Sequence, residues 1–205
     1  MSVLLPETVG PASADPYFID SGGVQRSLAS GEDMRLDRLG DRFGLVVNLP
    51  PLRWHVADPA KAARVWTTRL VQGMSQGAVL LFPQPNFAPP GGTMAAAGAA
   101  VSGSSQVLVA NGGAAAALLE GQFMTHVRAA TGRRYCYQVR ADTIVPAGGQ
   151  AVVPFWPRVR GPIAPGDVLK FGKPEIEGLV RGEQQGWTLD NARLVGIVFK
   201  IEERG

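Results

Sequence analysis

The sequence predicts a mainly β fold with one helix. Its 26 glycines and 16 prolines are spread along the 205 residues, with short apolar stretches between them. This distribution is typical of short strands joined by turns. In 42–49 every second residue is apolar, which is the two-residue period of a strand with one buried face. A chain of this length can bury a core without disulfides or metals.

The one predicted helix follows a double proline at 50–51. Asp58 is a suitable N-cap, and Pro59 fits the first helical position. Gly73 is the predicted end of the helix. The apolar residues at helical spacing, which should face the core, are Ala62, Ala63, Trp66 and Leu70.

The N-terminal residues 1–16 are apolar but interrupted by prolines and a glycine, and they predict an extended arm with little structure of its own. Three strands are predicted next, at 17–28, 34–39 and 42–49, with glycine-containing turns between them. The start of the chain lacks a basic region followed by a long apolar run, so neither a signal peptide nor a membrane span is expected.

A strand at 77–82 leads into 83–92, which is so rich in proline and glycine that we interpret it as a domain junction. The segment 114–119 has some helical propensity, but the glycines on both sides argue for strands. Several short strands in this middle region suit a small barrel or sandwich. They are predicted at 106–110, 121–127, 135–145, 150–156 and 168–171.

Two strands complete the chain, at 176–181 and 193–202. The second is dense in large apolar residues, which predicts a central strand that returns to the first domain. The predicted division is therefore one domain from 1–85 plus 172–205, interrupted by an inserted domain at 86–171.

Charge and cysteine content exclude several functions. Charged residues make up 18% of the chain and the formal net charge is +3, without a polybasic run, so recognition of nucleic-acid sequence is not indicated. The single cysteine, Cys136, is interpreted as a small buried residue, with a catalytic thiol as the minor alternative. His55 and His126 have no second histidine or cysteine at ligand spacing, so a metal site is not expected.

No arrangement of catalytic residues is found. The segment 166–173 only superficially resembles a phosphate loop, because its glycines are too far apart and a proline follows its lysine. Glu175 and Glu177 lie two residues apart and are interpreted as a solvated face of a strand. We therefore expect a protein that is not an enzyme and that uses no cofactor.

The four tryptophans suggest a possible sugar-binding surface, since indole rings stack on sugars. Trp66 is assigned to the core face of the helix, whereas Trp54 and Trp187 lie beside turns and are interpreted as packing residues. Trp156, with its neighbour Phe155 between two prolines, is the candidate for surface recognition.

Several segments also occur in an order that resembles a known family. They are 41–51 (Asp-Arg-Phe-Gly-Leu-Val-Val-Asn-Leu-Pro-Pro), the helix at 63–70, 77–83, 157–160, 165–168, 187–190 and 196–199. In order and spacing they resemble the distal tail proteins, minor tail proteins of siphovirus-type phages and gene transfer particles. The resemblance covers 35–203, and the sequence departs from it in the N-terminal arm and in the Ala- and Gly-rich segment 94–117.

The resemblance implies a tail-tube-like β-sandwich with one flanking helix, interrupted by an OB- or galectin-like domain that faces outward. It implies a virion protein, assembled in the host cytoplasm, that forms a six-membered ring between the tail tube and the baseplate hub. The implied partners are further copies of this chain, the tail tube protein and the hub protein, with the tape measure protein or tail fibres as additional candidates. No catalytic residue, cofactor or membrane insertion is implied.

Two other functions stay open at the level of sequence. A carbohydrate-binding β module would use Trp156 and the region 122–160 as its platform. A cell-wall hydrolase would need an acid–base pair or a metal, which the sequence does not provide.

Overall fold

A computed structural model describes residues 2–26, 31–36, 38–87, 93–182, 187–189 and 194–204, of which 187–189 are described by their backbone alone. The chain is mainly β with one α-helix, which confirms the predicted fold class. Its strands form a large sheet and a closed barrel, together with two small two-stranded sheets.

The elements follow one another along the chain in a simple order. The first part contains β1 (Val3–Leu4), β2 (Ser13–Ile19), β3 (Gly23–Arg26), β4 (Asp33–Leu36), β5 (Arg42–Asn48), β6 (Leu52–Arg53), a 3₁₀ turn (Pro59–Lys61), α1 (Ala63–Gln76) and β7 (Ala78–Leu81). The middle contains β8 (Met94–Ala96), β9 (Gln106–Asn111), β10 (Ala116–Leu118), β11 (Phe123–Val127), β12 (Arg134–Val139), β13 (Thr143–Val145), β14 (Gln150–Trp156) and β15 (Val168–Lys170). The last strands are β16 (Glu175–Arg181), β17 (Trp187–Leu189) and β18 (Leu194–Glu203).

The large sheet combines strands from both ends of the chain, in the order β1-β7-β16-β18-β5-β2. The predicted central strand is confirmed, since β18 pairs with β16 on one side and with β5 on the other. The short strands β6 and β17 pair with the first residues of β18. Four large apolar residues of β18 alternate inward and are buried, namely Val195, Ile197, Phe199 and Ile201.

Helix α1 packs on this buried face through the residues predicted from helical spacing. Trp66 has no exposed surface, and its ring lies 6.2 Å from that of Phe199. The predicted ends of the helix are wrong. Asp58 caps a 3₁₀ turn, in which its carboxylate accepts the backbone N–H of Ala60, and α1 begins only at Ala63 and continues past Gly73.

Gly73 does not end the helix but allows it to pack closely against the sheet. A Cβ atom at this position would lie 2.8 Å from Cγ2 of Val180 on β16, so the missing side chain lets the helix approach the sheet. The helix ends at Gly77, which adopts a φ of 92°. A positive φ costs glycine little and other residues more, which is why the chain can turn directly into β7.

The N-terminal residues are extended as predicted, but they do not form an arm with little structure of its own, because 3–4 and 13–16 pair with the chain's own sheet. Strand β1 runs parallel to β7 at one edge, and Leu5 beside it is buried in the core. Strand β2 begins at Ser13 and pairs with all of β5 at the other edge. Pairing on one side of each of these strands engages backbone N–H and C=O groups without an external partner.

The middle of the chain forms a closed six-stranded barrel in the order β11-β12-β14-β9-β8-β15. Its interior is filled by apolar residues, the largest of which are Tyr137, Phe155 and Phe171. The segment with helical propensity forms strand β10, which pairs with β13 outside the barrel ladder. The predicted single strand 135–145 is divided by a turn into β12 and β13.

Candidate functional site

Strands β3 and β4 form a hairpin that lies outside both the large sheet and the barrel. They pair with each other and, within the described residues, with no other strand. Apolar side chains are exposed on both faces of the hairpin. Met34 and Leu36 share one face and are 65% and 38% exposed, while Val24 on the opposite face is 70% exposed.

The base of this hairpin is attached to the start of β5. The carboxylate of Asp41 accepts the backbone N–H of Ser21 at 2.8 Å, and Asp41 is itself buried. The guanidinium of Arg35 donates to Asp20 at 3.1 Å. These contacts hold the hairpin at its root and leave its apolar residues on the surface. An exposed apolar patch of this kind is typical of a protein–protein contact.

The two residues predicted for surface recognition have different environments. Phe155 is completely buried in the barrel, with its ring 4.9 Å from that of Tyr137, so its assignment to a recognition surface is wrong. It alternates with Trp156 along β14, and side chains at successive strand positions point to opposite faces. Trp156 is partly buried and its ring lies 6.4 Å from that of Phe18 on β2.

The other tryptophans are placed as follows. Trp66 lies in the core, as predicted, and Trp54 beside the 3₁₀ turn is 40% exposed. The side chain of Trp187 lies outside the described part of the structure.

A buried histidine–aspartate pair closes one end of the barrel. Nε2 of His126 lies 2.7 Å from Oδ2 of Asp167, and neither side chain reaches solvent appreciably. Asp167 also accepts the backbone N–H groups of Ala129 and Ala164. Burial alone would raise the pKa of Asp167, but these hydrogen bonds outweigh it and lower the pKa.

Burial lowers the pKa of His126 below its ordinary value of 6.5, although Asp167 acts in the opposite direction. The neutral imidazole therefore donates through Nε2 to the ionised Asp167. Its Nδ1 is buried and has no hydrogen-bond partner among the described residues. The ring stacks on Tyr135 at 5.7 Å. These contacts connect β11 to Tyr135 on β12 and to Asp167, which precedes β15.

The glutamates predicted to be solvated are partly buried and paired, so that prediction is wrong. The side chains of Glu175 and Glu177 are each 12% exposed. Glu175 binds Nε of Arg134 and Nζ of Lys170, and Glu177 accepts the backbone N–H of Arg134 at 2.8 Å. They join β16 to the barrel strand β12.

Glu203 fastens the barrel to the sheet at a second place. Its carboxylate is 1% exposed and accepts the backbone N–H groups of Phe43 at 2.9 Å and Cys136 at 2.6 Å. It also forms an ion pair with Arg160 at 2.8 Å. Burial alone would lower the pKa of Arg160, but the charge of Glu203 outweighs it and raises the pKa.

The sequence interpretation missed Glu203, although one signal was present. Glu203 continues the inward alternation of Val195 to Ile201 on β18, where a carboxylate must be buried. Its neighbour Cys136 is buried as predicted, and burial raises the pKa of the thiol well above its ordinary range. A thiol in this state is a poor nucleophile.

The described residues contain no group of three histidine, cysteine, aspartate or glutamate side chains arranged to hold a metal ion. Within the same residues, no helix has the length and apolar character needed to cross a membrane. No protein-family model matches the sequence, and no match is found among the curated proteins.

Proposed function

We propose that the chain is a structural component of a phage-type tail tip, a distal tail adaptor whose copies assemble into a ring between the tail tube and the baseplate hub. The ordered segments that resemble distal tail proteins give the proposal its family. In the same proposal, 1–85 with 172–205 forms the ring and 86–171 is an outward-facing insertion. The protein acts in the virion and catalyses no reaction.

The observation that supports assembly is the exposed hairpin β3–β4. An isolated two-stranded hairpin is marginally stable in water, because it buries little apolar surface. Here Val24 and Met34 lie on opposite faces and are 70% and 65% exposed. A neighbouring molecule that covers both faces would stabilise the hairpin by burying these side chains.

A second copy of the chain can provide that cover without a cofactor. When one surface of a subunit contacts a different surface of the next, the contacts close into a ring if the rotation between neighbours divides a full turn. The hairpin β3–β4 is attached near the start of β5 and lies outside the large sheet. It is therefore our candidate for one of the two contacting surfaces. The family resemblance implies that the ring contains six copies.

Measurement of molar mass tests this proposal directly. Light scattering coupled to size-exclusion chromatography of the full chain, over a concentration series, should show a closed oligomer. The double substitution Val24→Glu with Met34→Glu should shift the mass to that of the monomer, because it places charge in the contact. A chain that is monomeric at every concentration, and that binds neither tail tube nor hub protein, contradicts the proposal.

A matched control lies in the middle region of the chain, away from the hairpin. Ile144 is an apolar strand residue that is 73% exposed, outside the hairpin. The double substitution Ile144→Glu with Val152→Glu should leave the oligomer intact, because it adds the same two charges at exposed positions away from the proposed contact. Equal dissociation by this variant would show that the effect is one of net charge.

A carbohydrate-binding module remains the alternative function, with Trp156 and the region 122–160 as its platform but without a contribution from Phe155. Phe155 is inside the barrel, and Trp156 shares its ring contact with Phe18. Loss of glycan binding on Trp156→Ala would favour this alternative over a purely structural role.

A further inference from the structure

A cleft of about 530 Å³ lies between β1, the turn that joins β11 to β12, and the residue that follows β18. Ligand sites in proteins commonly enclose roughly 300–1,000 Å³, so a small ligand or a few peptide residues would fit. Three arginines line the cleft, namely Arg133, Arg134 and Arg204, and Glu177 is the acidic residue of its lining. The cleft is therefore basic in a chain whose overall charge is small.

The acidic side chains at this place are already engaged by neighbouring groups. Glu177 accepts the hydroxyl of Ser2 at 2.5 Å through one oxygen and the backbone N–H of Arg134 at 2.8 Å through the other. Glu175, which does not line the cleft, pairs with both Lys170 and Arg134. Since Glu175 is balanced by Lys170, the lining keeps an excess of positive charge.

Two of these arginines, Arg134 and Arg204, retain hydrogen-bonding capacity. A guanidinium carries five N–H donors. Arg134 uses Nε on Glu175 and Nη1 on the carbonyl of Gly132, while Arg204 donates through Nη2 to the carbonyl of Gln76. The planar arrangement of the remaining donors matches the two oxygens of a carboxylate.

The cleft also has an apolar side. Leu4, which is 57% exposed, and Val127 contribute to its lining. A ligand that carries a carboxylate next to an aliphatic stem would cover Leu4 while its oxygens reach the guanidinium groups. This combination is found in glutamate side chains and in small polycarboxylates.

We propose that this cleft is a binding site for carboxylates. The ligand is either a free polycarboxylate or an acidic peptide segment, since both present the same chemistry to the arginines. The inference is independent of ring assembly, because the cleft and the hairpin β3–β4 involve different residues.

Calorimetric titration of the full chain at low ionic strength distinguishes the two sources. The probes are citrate and a tetraglutamate peptide with blocked ends, and the matched control peptide is tetraglutamine. Saturable binding of either acidic probe, weakened by added salt, is the expected result. Binding of the peptide alone identifies a protein segment as the source, and binding of citrate alone identifies a small molecule.

Three variants locate the binding within the molecule. Arg133→Gln should weaken the affinity roughly tenfold, as expected for loss of one charge-assisted contact. Thr131→Glu places a negative charge at an exposed position of the cleft lining and should abolish binding by repulsion of the carboxylate. This variant tests the site independently if Arg133→Gln impairs folding. Arg140→Gln removes the same charge from an exposed barrel position that does not line the cleft, and it should change the affinity less than about twofold.

Several results would overturn the proposal. They are the absence of saturable binding, equal binding of tetraglutamine, binding of inorganic phosphate but of neither carboxylate probe, or equal weakening by Arg140→Gln. The molar mass of each variant is measured in parallel. A change in binding without a change in mass separates this site from the assembly contact.

Discussion

Glu203 occupies a position on β18 where the alternation of the strand would place an apolar side chain. Its burial is tolerated because three donors satisfy its oxygens, from Phe43, Cys136 and Arg160. A buried ion pair of this kind contributes little net stability compared with an apolar pair, but loss of one partner is costly because the other charge stays buried. The pair connects Arg160, which follows the barrel strand β14, to the last strand of the sheet.

Substitution of Glu203 by alanine should lower the free energy of unfolding by about 3–5 kcal/mol, because Arg160 is left buried without its counter-charge. The side chain of Arg160 is 6% exposed, so water cannot replace the carboxylate easily. Urea unfolding of the variant measures this loss.

The control is an exposed ion pair of the same type. Lys61 pairs with Asp58 at 3.6 Å, and both side chains are largely exposed. Lys61→Gln should change the free energy of unfolding by about 1 kcal/mol or less. Comparable losses at the two positions would show that burial of the Glu203 pair has no special effect.

The His126–Asp167 pair predicts how stability depends on pH. The pKa of His126 in the folded chain lies below 6.5, so the unfolded chain takes up this proton first as the pH falls. Stability should be highest above pH 6.5 and should decrease below it. Asp167, whose folded pKa lies below 3.8, adds a further loss in the same direction at more acidic pH.

The measurement is the free energy of unfolding of the native chain and of His126→Gln, each on both sides of pH 6.5. The native chain should lose more stability on acidification than the variant, because glutamine does not titrate. Parallel losses in the two proteins would contradict a role for His126.

At the scale of elements, the contact between α1 and β16 depends on a missing side chain. A Cβ at Gly73 would lie 2.8 Å from Val180 and 3.1 Å from Ala78. Alanine normally stabilises a helix relative to glycine by about 1 kcal/mol. At this position the steric overlap of the added Cβ with Val180 and Ala78 should outweigh the gain in helix propensity.

Gly73→Ala should therefore destabilise the chain by about 1–3 kcal/mol, the usual cost of overpacking. Thermal unfolding of the variant is the measurement. Ser75→Ala, an exposed change on the same helix, should stay within about 0.5 kcal/mol of the native chain. A more stable Gly73→Ala variant would show that the helix can move away from the sheet without cost.

At the scale of the whole molecule, the barrel and the sheet share an aromatic contact. The ring centroid of Phe123 on β11 lies 5.3 Å from that of Phe43 on β5 and 4.1 Å from that of Phe82, which follows β7. With Glu203, this contact joins the two parts through both apolar and polar groups. We expect the native chain to unfold in one cooperative transition.

Phe123→Ala should separate the unfolding of the barrel from that of the sheet, because it removes both aromatic contacts at once. Differential scanning calorimetry should then show two transitions in the variant and one in the native chain. Leu119→Ala, at an exposed position of the middle region, is the control and should preserve the single transition. A single transition in Phe123→Ala would mean that the remaining contacts between barrel and sheet, those of Glu203 and those of Glu175 and Glu177 with Arg134, suffice for cooperativity.

Much of the fold could be predicted from local patterns in the sequence. The alternation in 42–49, the buried face of the helix around Trp66 and the central position of β18 all follow from the spacing of apolar residues. These features depend on neighbours along the chain, and that information is present in the sequence itself.

The pairing of distant segments could not be predicted in the same way. The prolines of 1–16 argued for a free arm, but β7 and β5 provide pairing partners for its two ends. Phe155 was assigned to the surface and the burial of Glu203 was missed. Both errors arise because the packing of other elements decides which face of a strand is buried.

The sequence by itself determined the β class, the single helix with its buried face, and the dense strand at the centre of the sheet. Only the tertiary structure decided which charges are buried, which apolar side chains remain exposed on β3–β4, and where three arginines meet around one cleft. The physical reason is the distance along the chain over which each effect acts. Periodicity acts between neighbouring residues, whereas burial and the meeting of charged side chains arise between segments that are distant in sequence, such as 133–134 and Arg204.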